Sequence, residues 1–211
     1  MTKKFMKIDL HTHAVGHRYV WEGRLPEQLS DKDKADIRGL IENAITRGLD
    51  ALGITDHDFA LSGLWGASYA EAAKLPIRVI PGCECELYYQ GAYIHVLALN
   101  LKKALSYTAF TPLPELVEQI HAQGAISVLA HPMCYSENIY HSIKNLVQGV
   151  EYRNGEQERR GERIFTGVLD ADDYRGLRLH SSDYHFPSQQ SREHLQSYTE
   201  MEKTEFVRWF G

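Results

Sequence analysis

Apolar positions along the chain follow two spacings, which predict strands alternating with helices. Short stretches rich in apolar residues predict strands at residues 5–10, 49–54, 77–80, 93–99, 125–130, 147–152 and 177–179. Helical spacing predicts helices after the N-cap signal Ser30, over 64–73, from Pro112 to Gly124, and over 202–210. Gly48 is the expected left-handed end of the first of these helices.

This alternation indicates a single α/β domain. Strands separated by helices are typical of parallel βαβ units. No linker rich in Pro, Gly or Ser, no repeat and no low-complexity segment divides the sequence. We therefore expect one domain that spans residues 1–211.

Composition and charge narrow the classes of partner. The chain has 211 residues, of which 43% are apolar, and its net charge is −5. A nucleic-acid polymer would need a basic surface, so we expect none as a partner. No run approaches the roughly 20 apolar residues of a membrane span, and no signal peptide is evident. We expect a cytoplasmic protein, and the sequence gives no prediction of its oligomeric state.

Histidines and carboxylates mark the ends of several predicted strands. His11 and His13 follow the first strand and, two residues apart, would point to the same side of an extended chain. Asp9 shares that face. Imidazole and carboxylate are ligands of borderline metal ions, so this end predicts a metal site.

The same arrangement recurs at three later strand ends. These segments contain Asp56 and His57, then His131, and finally Asp183 and His185. In α/β barrels and open sheets, functional residues lie at the carboxyl ends of parallel strands. We therefore expect these side chains to meet in one cluster.

In their order along the chain, these segments resemble the PHP family, named after polymerase and histidinol phosphatase. The family pattern has six segments: D-x-H-x-H, TDH, PG-x-E, H-x-L, AHP and D-x-H. All six occur here, from Asp9 to His185, and they include Glu84 and His95. The resemblance implies a distorted (β/α)7 TIM-like barrel. It also implies a phosphoesterase with two or three divalent ions, zinc, manganese or iron, at the C-terminal rim.

The resemblance also implies which residues hold each ion. Three ligand sets are expected: His11, His13, Glu84 and Asp183; Glu84, His95 and His131; and His57 and His185, with His17 as a candidate third ligand. Glu86 lies on the same strand face as Glu84 and is its rival, but the position directly after Pro81-Gly82-Cys83 favours Glu84.

The implied reaction is hydrolysis of a small phosphorylated substrate by a metal-activated hydroxide. Asp56, His57, Asp183 and His185 are the expected catalytic residues, and Asp56 is a candidate donor to the leaving oxygen. Arg18 and Arg153 are the candidate phosphate clamps, because guanidinium matches phosphate with two parallel hydrogen bonds.

Two other functions are consistent with the motifs. An amidohydrolase-like hydrolase also begins with His-x-His, although that family commonly uses a bridging lysine and a single final Asp. A non-catalytic, metal-stabilised PHP module is the third possibility. Metal analysis together with assays of phosphate release and of amide or lactone cleavage would separate the three.

Overall fold

The structure is a computed structural model, and it describes residues 4–15, 27–161, 174–186 and 197–211. Its strands carry most of the predicted functional segments at or just beyond their carboxyl ends. The strands are β1 Phe5–Asp9, β2 Thr12–His13, β3 Ala51–Ile54, β4 Arg78–Tyr89, β5 Ala92–Leu99, β6 Ile126–Leu129, β7 Gly149–Asn154, β8 Leu177–Ser181, β9 Tyr184–His185 and β10 Thr199–Glu202.

Helices separate most of these strands. Within the described ranges they are α1 Asp31–Thr46, α2 Leu61–Ala72, α3 Leu113–His121, α4 Glu137–Ile143, α5 Gly155–Arg160 and α6 Lys203–Phe210, with a 3-10 turn at Pro132–Cys134. The short helices α4 and α5 and the strand β10 are absent from the sequence-based assignment.

The predicted ends of α1 are confirmed. Ser30 is the N-cap: its hydroxyl accepts from Asp33 N, and the Asp33 carboxylate accepts from Ser30 N at 2.9 Å. This reciprocal pair is a capping box. Gly48 follows the helix with φ of 74°, a left-handed conformation that costs glycine little.

The strands form a distorted barrel, as predicted. The sheet order is β10-β1-β3-β4-β5-β6-β7-β8. Strands β1, β3 and β4 are mutually parallel, as are β6, β7 and β8, so their carboxyl ends share one rim. Strand β10 is the eighth strand of this nearly closed sheet and pairs antiparallel with β1.

Strand β5 departs from the expected parallel pattern. It pairs antiparallel with β4 over eight residue pairs, from Gly82↔Leu99 to Tyr89↔Ala92. The two-residue turn Gln90-Gly91, with φ of 48° and 90°, leaves no room for a crossover helix. Positive φ at both central positions is the signature of a hairpin turn, so the chain reverses directly.

Side-chain bonds close the gap between β1 and β8. The buried carboxylate of Asp9 accepts from Ser182 N at 3.0 Å and from Ser182 Oγ at 2.6 Å. Arg47 donates to the same carboxylate at 3.2 Å. Asp9 therefore anchors the last motif segment against the first.

The core lies inside the barrel and between its wall and the helices. Ile8, Ile80, Leu97 and Val128 fill the interior, while α3 and α4 cover β4 to β6 from outside. Among the helices of the described ranges, none is both long enough and apolar enough to span a membrane.

Candidate metal centre

A small two-stranded sheet joins the first and last histidine motifs. Strand β2 pairs with β9, so His13 lies opposite His185, and Asp183 N donates to His11 O at 2.9 Å. As a result His13 Nε2 lies 3.1 Å from Asp183 Oδ1, and the His13 and His185 rings stack with centroids 4.1 Å apart. Residues about 170 positions apart thus share one site.

Glu84 occupies the middle of the cluster, with only 1% of its side chain exposed. Its Oε1 lies 2.8 Å from His95 Nδ1 and 2.9 Å from His131 Nε2. Its Oε2 lies 3.0 Å from His57 Nδ1 and 3.5 Å from His13 Nε2. One carboxylate is therefore within reach of imidazoles from four different segments, which is the position of a bridging ligand.

Glu86 lies further out. Its side chain is 43% exposed, and its contact with the cluster is through His95 Nε2 at 3.5 Å. The geometry favours Glu84 as the central carboxylate.

All eight of the predicted ligands that lie in the described residues fall into groups able to hold an ion. In each group, one ligand atom per residue lies within 4.8 Å of the others. The groups are His11-His13-Asp183, His11-Glu84-His131, His57-Glu84-His95 and His13-His57-His185. His17 lies outside the described residues.

A buried nitrogen in the cluster tests whether a cation fits. His11 is fully buried, and its Nε2 lies 3.4 Å from both Glu84 Oε1 and Asp183 Oδ1. This nitrogen has no well-formed hydrogen bond within the described residues. A buried polar atom without a partner is costly, and a cation shared with the two carboxylates would satisfy it. The donor set fits a divalent metal ion.

Electrostatics keep the two central carboxylates ionised. Burial alone would raise the pKa of Glu84, but His57, His95 and His11 outweigh it and hold the pKa well below its ordinary value. Burial likewise opposes ionisation of Asp183, yet the charge of His11 and the hydrogen bond from His13 hold its pKa well below the ordinary value. Both groups are therefore ready to bind a cation.

The histidines divide into protonated and neutral rings when no metal is bound. Burial favours neutral His95, but the Glu84 charge and hydrogen bond outweigh it and raise the His95 pKa to about 10. Burial and the nearby His185 instead lower the pKa of His13 to about 3. A metal ion must therefore displace a proton from His95 in order to bind it.

Glu151 and Asn154 lie on β7 and form hydrogen bonds with the candidate ligands. This role was not predicted from the sequence. Glu151 is fully buried; its Oε1 lies 3.1 Å from His11 Nδ1, and its Oε2 accepts from His131 N at 2.8 Å. Asn154 donates to Glu151 Oε2 at 2.9 Å and to Asp183 Oδ2 at 3.2 Å. A carboxylate at the end of an apolar strand was the available signal for Glu151.

Two tyrosines hold the outer side of the cluster. The Tyr135 hydroxyl accepts from His95 N at 2.8 Å and lies 3.3 Å from His131 Nδ1. The Tyr107 hydroxyl donates to Asp58, and the same Asp58 carboxylate accepts from Glu86 N at 3.0 Å. The Tyr107 contact holds Asp58, which directly follows His57. The contacts of both tyrosines were not predicted, because these residues lie far along the chain from most of their partners.

The remaining predicted site residues are Asp56 and the two candidate phosphate clamps, Arg18 and Arg153. Asp56 is fully buried, accepts from Val15 N at 2.9 Å and lies 4.0 Å from His13 Nδ1. Arg153 donates twice to Glu158, at 2.7 and 3.2 Å. Arg18 lies outside the described residues.

Comparison with known proteins agrees with this geometry. The PHP domain family model matches residues 27–201. The chain belongs to the PHP domain family. The match begins after His11 and His13, so the contribution of the first motif rests on the motif order and on the pairing of β2 with β9. A search of curated proteins finds no match.

Three solved structures share the fold of this PHP domain. A two-domain protein from Bacteroides vulgatus that contains a predicted PHP-like metal-dependent phosphoesterase has 19% identity and a TM-score of 0.61. An amidohydrolase from Chromobacterium violaceum, solved with sulfate and no metal, has 15% identity and a TM-score of 0.63. An inferred metal-dependent phosphoesterase from Bifidobacterium adolescentis has 14% identity and a TM-score of 0.60.

These neighbours differ in how much of their length is matched. The alignments cover 89%, 92% and 96% of this chain, in the same order. The chain spans 54% of the Bacteroides protein, but 91% and 94% of the other two. At such identities the likeness concerns the fold.

Proposed function

We propose that this PHP domain is a metal-dependent phosphatase that hydrolyses a small phosphomonoester. The observation that carries the proposal is the central position of Glu84, whose two oxygens lie within 3.5 Å of five imidazoles. Such a set can hold more than one divalent ion around a shared carboxylate. Multinuclear sites of this type suit transfer of a phosphoryl group to water.

The chain would hold two or three ions, of zinc, manganese or iron. The proposed sets are His11, His13, Glu84 and Asp183; Glu84, His95 and His131; and His57 and His185 with His17. When bound, such ions supply a hydroxide nucleophile at neutral pH and stabilise the negative charge on the phosphoryl oxygens.

The protein residues orient the site and manage protons. In the net reaction a water oxygen forms a bond to phosphorus, the ester P–O bond breaks, and the leaving oxygen takes up a proton. Asp56, His57, Asp183 and His185 are the proposed catalytic residues. His185 has a side chain that is 30% exposed and is held by Asp183 O at 2.9 Å, so it is open to substrate, whereas Asp56 is enclosed.

The phosphate clamps also stay part of the proposal. Arg153 would have to exchange its bonds with Glu158 for bonds to phosphate, and Arg18 follows the first motif. Because the net charge is −5, an anionic substrate must be attracted locally, by bound ions or by such arginines.

A phosphate-release assay tests the function. Metal-loaded protein should release phosphate from a panel of small phosphomonoesters, and His11→Ala should lose both bound metal and this activity. His141→Ala is the matched control, because His141 lies on α4 away from the cluster. Undiminished phosphate release by metal-free His11→Ala would overturn the proposal.

Amidohydrolase-like activity is the second candidate, favoured by the Chromobacterium neighbour. A bridging lysine is typical of that family, whereas Glu84 is the proposed bridging residue here. Cleavage of amides or lactones without phosphate release would support this alternative. Bound metal with no turnover of any ester, amide or lactone would instead support a non-catalytic PHP module.

The remaining sequence-based expectations complete the proposal. They are a functional domain spanning residues 1–211, a small phosphorylated substrate rather than a nucleic-acid polymer, and a cytoplasmic location.

A further inference from the structure

Three large aromatic side chains are exposed together at the end of the β4–β5 hairpin. Tyr88, Tyr93 and Phe110 are 47%, 54% and 75% exposed. The Tyr88 ring lies 5.4 Å from the Tyr93 ring and 6.0 Å from the Phe110 ring, between centroids. The other exposed large apolar residues of the described ranges, Phe5, Leu146 and Val207, lie on other elements. We call the three the aromatic patch.

The register of the hairpin aligns the aromatic patch with the metal centre. Glu86 pairs with His95, and the next pair on the same face is Tyr88 with Tyr93. Side chains two residues apart on a strand share a face. Along β4 this face carries Glu84, then Glu86, then Tyr88, so it leads from the centre of the cluster outward.

The distance along this face from the metal centre to the aromatic patch matches the length of a small organic group. Two strand residues span about 7 Å, so the aromatic patch begins about that distance beyond the Glu86–His95 pair. His95 is the outer ligand candidate on this side, with 21% of its side chain exposed. A substrate whose phosphoryl group lies among the ligands would extend its leaving group along this face.

The backbone holds the third aromatic residue in place. Tyr88 N donates to Ala109 O at 2.6 Å, which fixes the loop that carries Phe110 beside β4. Thr108 and Thr111 brace the same loop, through Thr108 N to Thr111 Oγ1 at 2.9 Å. The loop is thus bound to the strand that carries Glu84, and the aromatic rings have a fixed position relative to the metal centre.

We propose that the aromatic patch binds the leaving group of the substrate, so that favoured phosphomonoesters carry a planar aromatic group such as a nucleobase. This inference rests on the proposed function. Aromatic side chains stack on any base, because every base has a π-face. For a nucleoside monophosphate, the phosphoryl group would lie at the cluster, the sugar beside Glu86 and His95, and the base against Tyr88, Tyr93 and Phe110. Hydrolysis would yield the nucleoside and inorganic phosphate.

Two esters that differ only in the base provide the test. We expect kcat/KM for adenosine 5′-monophosphate to exceed that for ribose 5-phosphate by about tenfold to hundredfold, the effect of one stacked base. The double variant Tyr93→Ala/Phe110→Ala should lose this preference while its kcat/KM for ribose 5-phosphate stays unchanged. Phe5→Ala is the matched control, since Phe5 is also exposed but lies at the start of β1.

A binding measurement separates this inference from the proposed function. Adenosine, which has no phosphate, should show saturation-transfer NMR contacts with the wild-type protein and weaker ones with the double variant. If no ester of the phosphomonoester panel is hydrolysed, the proposed function fails, and this readout still tests the aromatic patch. Equal kcat/KM for the two esters in the wild type would overturn the inference. So would a double variant that changes only the oligomeric state, because the aromatic patch would then join two copies of the chain.

Discussion

Glu151 orients the His11 ring and selects its tautomer when the ring is neutral. Carboxylate oxygens accept hydrogen bonds, so the partner atom of Glu151 Oε1, His11 Nδ1 at 3.1 Å, is the donor. A neutral His11 ring then has its lone pair on Nε2, the atom that faces Glu84 and Asp183. Carboxylate partners of this kind orient metal-binding histidines in many sites.

Replacing Glu151 with glutamine tests this orientation. The substitution Glu151→Gln keeps the shape but turns one acceptor into an N–H donor, which must then face either His11 Nδ1 or the N–H groups of His131 and Asn154. We expect metal affinity to fall about 10- to 100-fold, the usual effect of losing such a partner. Titration calorimetry with Zn²⁺ or Mn²⁺ measures it. Glu115→Gln, at an exposed position of α3, is the control, and equal affinity for both variants would contradict the role of Glu151.

Unusual backbone conformations also occur at the site. His131 and Asp183 have φ of 26° and 56°, and Asp58 has φ of 51°. Non-glycine residues rarely adopt positive φ, and such residues concentrate at functional sites, where surrounding structure holds them. At His131 and Asp183 the hydrogen bonds of Glu151 and Asn154 supply that support.

At the scale of elements, α2 packs closely against the strands β3 and β4, which lead into motif segments. A Cβ added at Gly63 would lie 2.6 Å from Ile54 O and 2.7 Å from Gly82 N, both backbone atoms next to motif segments. The helix therefore touches the ends of β3 and the middle of β4 directly. Only glycine allows this approach.

Two alanine substitutions on α2 should differ in their effect. Gly63→Ala must push the helix away from β3 and β4, so we expect a loss of about 1–3 kcal/mol in the free energy of unfolding. A Cβ at Gly66 would meet Ile54 Cδ1, the end of a flexible side chain, at 2.8 Å. Gly66→Ala should be close to neutral, because alanine also favours the helix by up to about 1 kcal/mol. Urea unfolding compares the two, and a Gly66→Ala loss as large as that of Gly63→Ala would contradict this packing.

The sequence was most informative where one residue has a local conformational role. Ser30 and Gly48 predicted the ends of α1, and motif order led to the eight candidate ligands that the described residues bring together. The strand β5 was predicted, but its antiparallel direction was missed because helical and strand spacing do not reveal pairing direction. The turn residues Gln90-Gly91 could have indicated it. Glu151, Asn154 and Tyr135 were missed because their partners lie on distant strands and loops, which no local spacing encodes.

At the scale of the whole molecule, the charged cluster couples folding to pH when metal is absent. The pKa of His95 is raised from 6.5 to about 10. Protonated His95 therefore contributes fully to the free energy of unfolding below pH 6.5, and this contribution is lost as pH rises through 10. The pKa of His13 is lowered from 6.5 to about 3, so the neutral ring costs stability as pH falls below 6.5. The pKa of Glu84 lies well below 4.5, so the stability that ionised Glu84 contributes is lost only as pH falls below 4.5.

Because the pKa of His95 is raised and that of His13 is lowered, the metal-free protein should be most stable close to pH 6.5, the ordinary pKa of both histidines. Denaturant midpoints measured across pH with a chelator present should fall on both sides of this value. His95→Gln should reduce the fall on the alkaline side without abolishing it, because the pKa of His11 is also raised well above 6.5, and should leave the acid side in place. A wild-type midpoint that rises steadily into alkaline pH would show that the cluster does not stabilise the fold in this way.

Metal stoichiometry measured together with phosphate release tests the central claim most directly. Purified protein is loaded with Zn²⁺ or Mn²⁺, freed of excess metal, and divided between elemental analysis and a phosphomonoester assay, before and after chelation. We predict two or three ions per chain, phosphate release that disappears on chelation and returns on reloading, and loss of both in Asp183→Asn. Phosphate release that persists in chelated, metal-free protein would contradict the account.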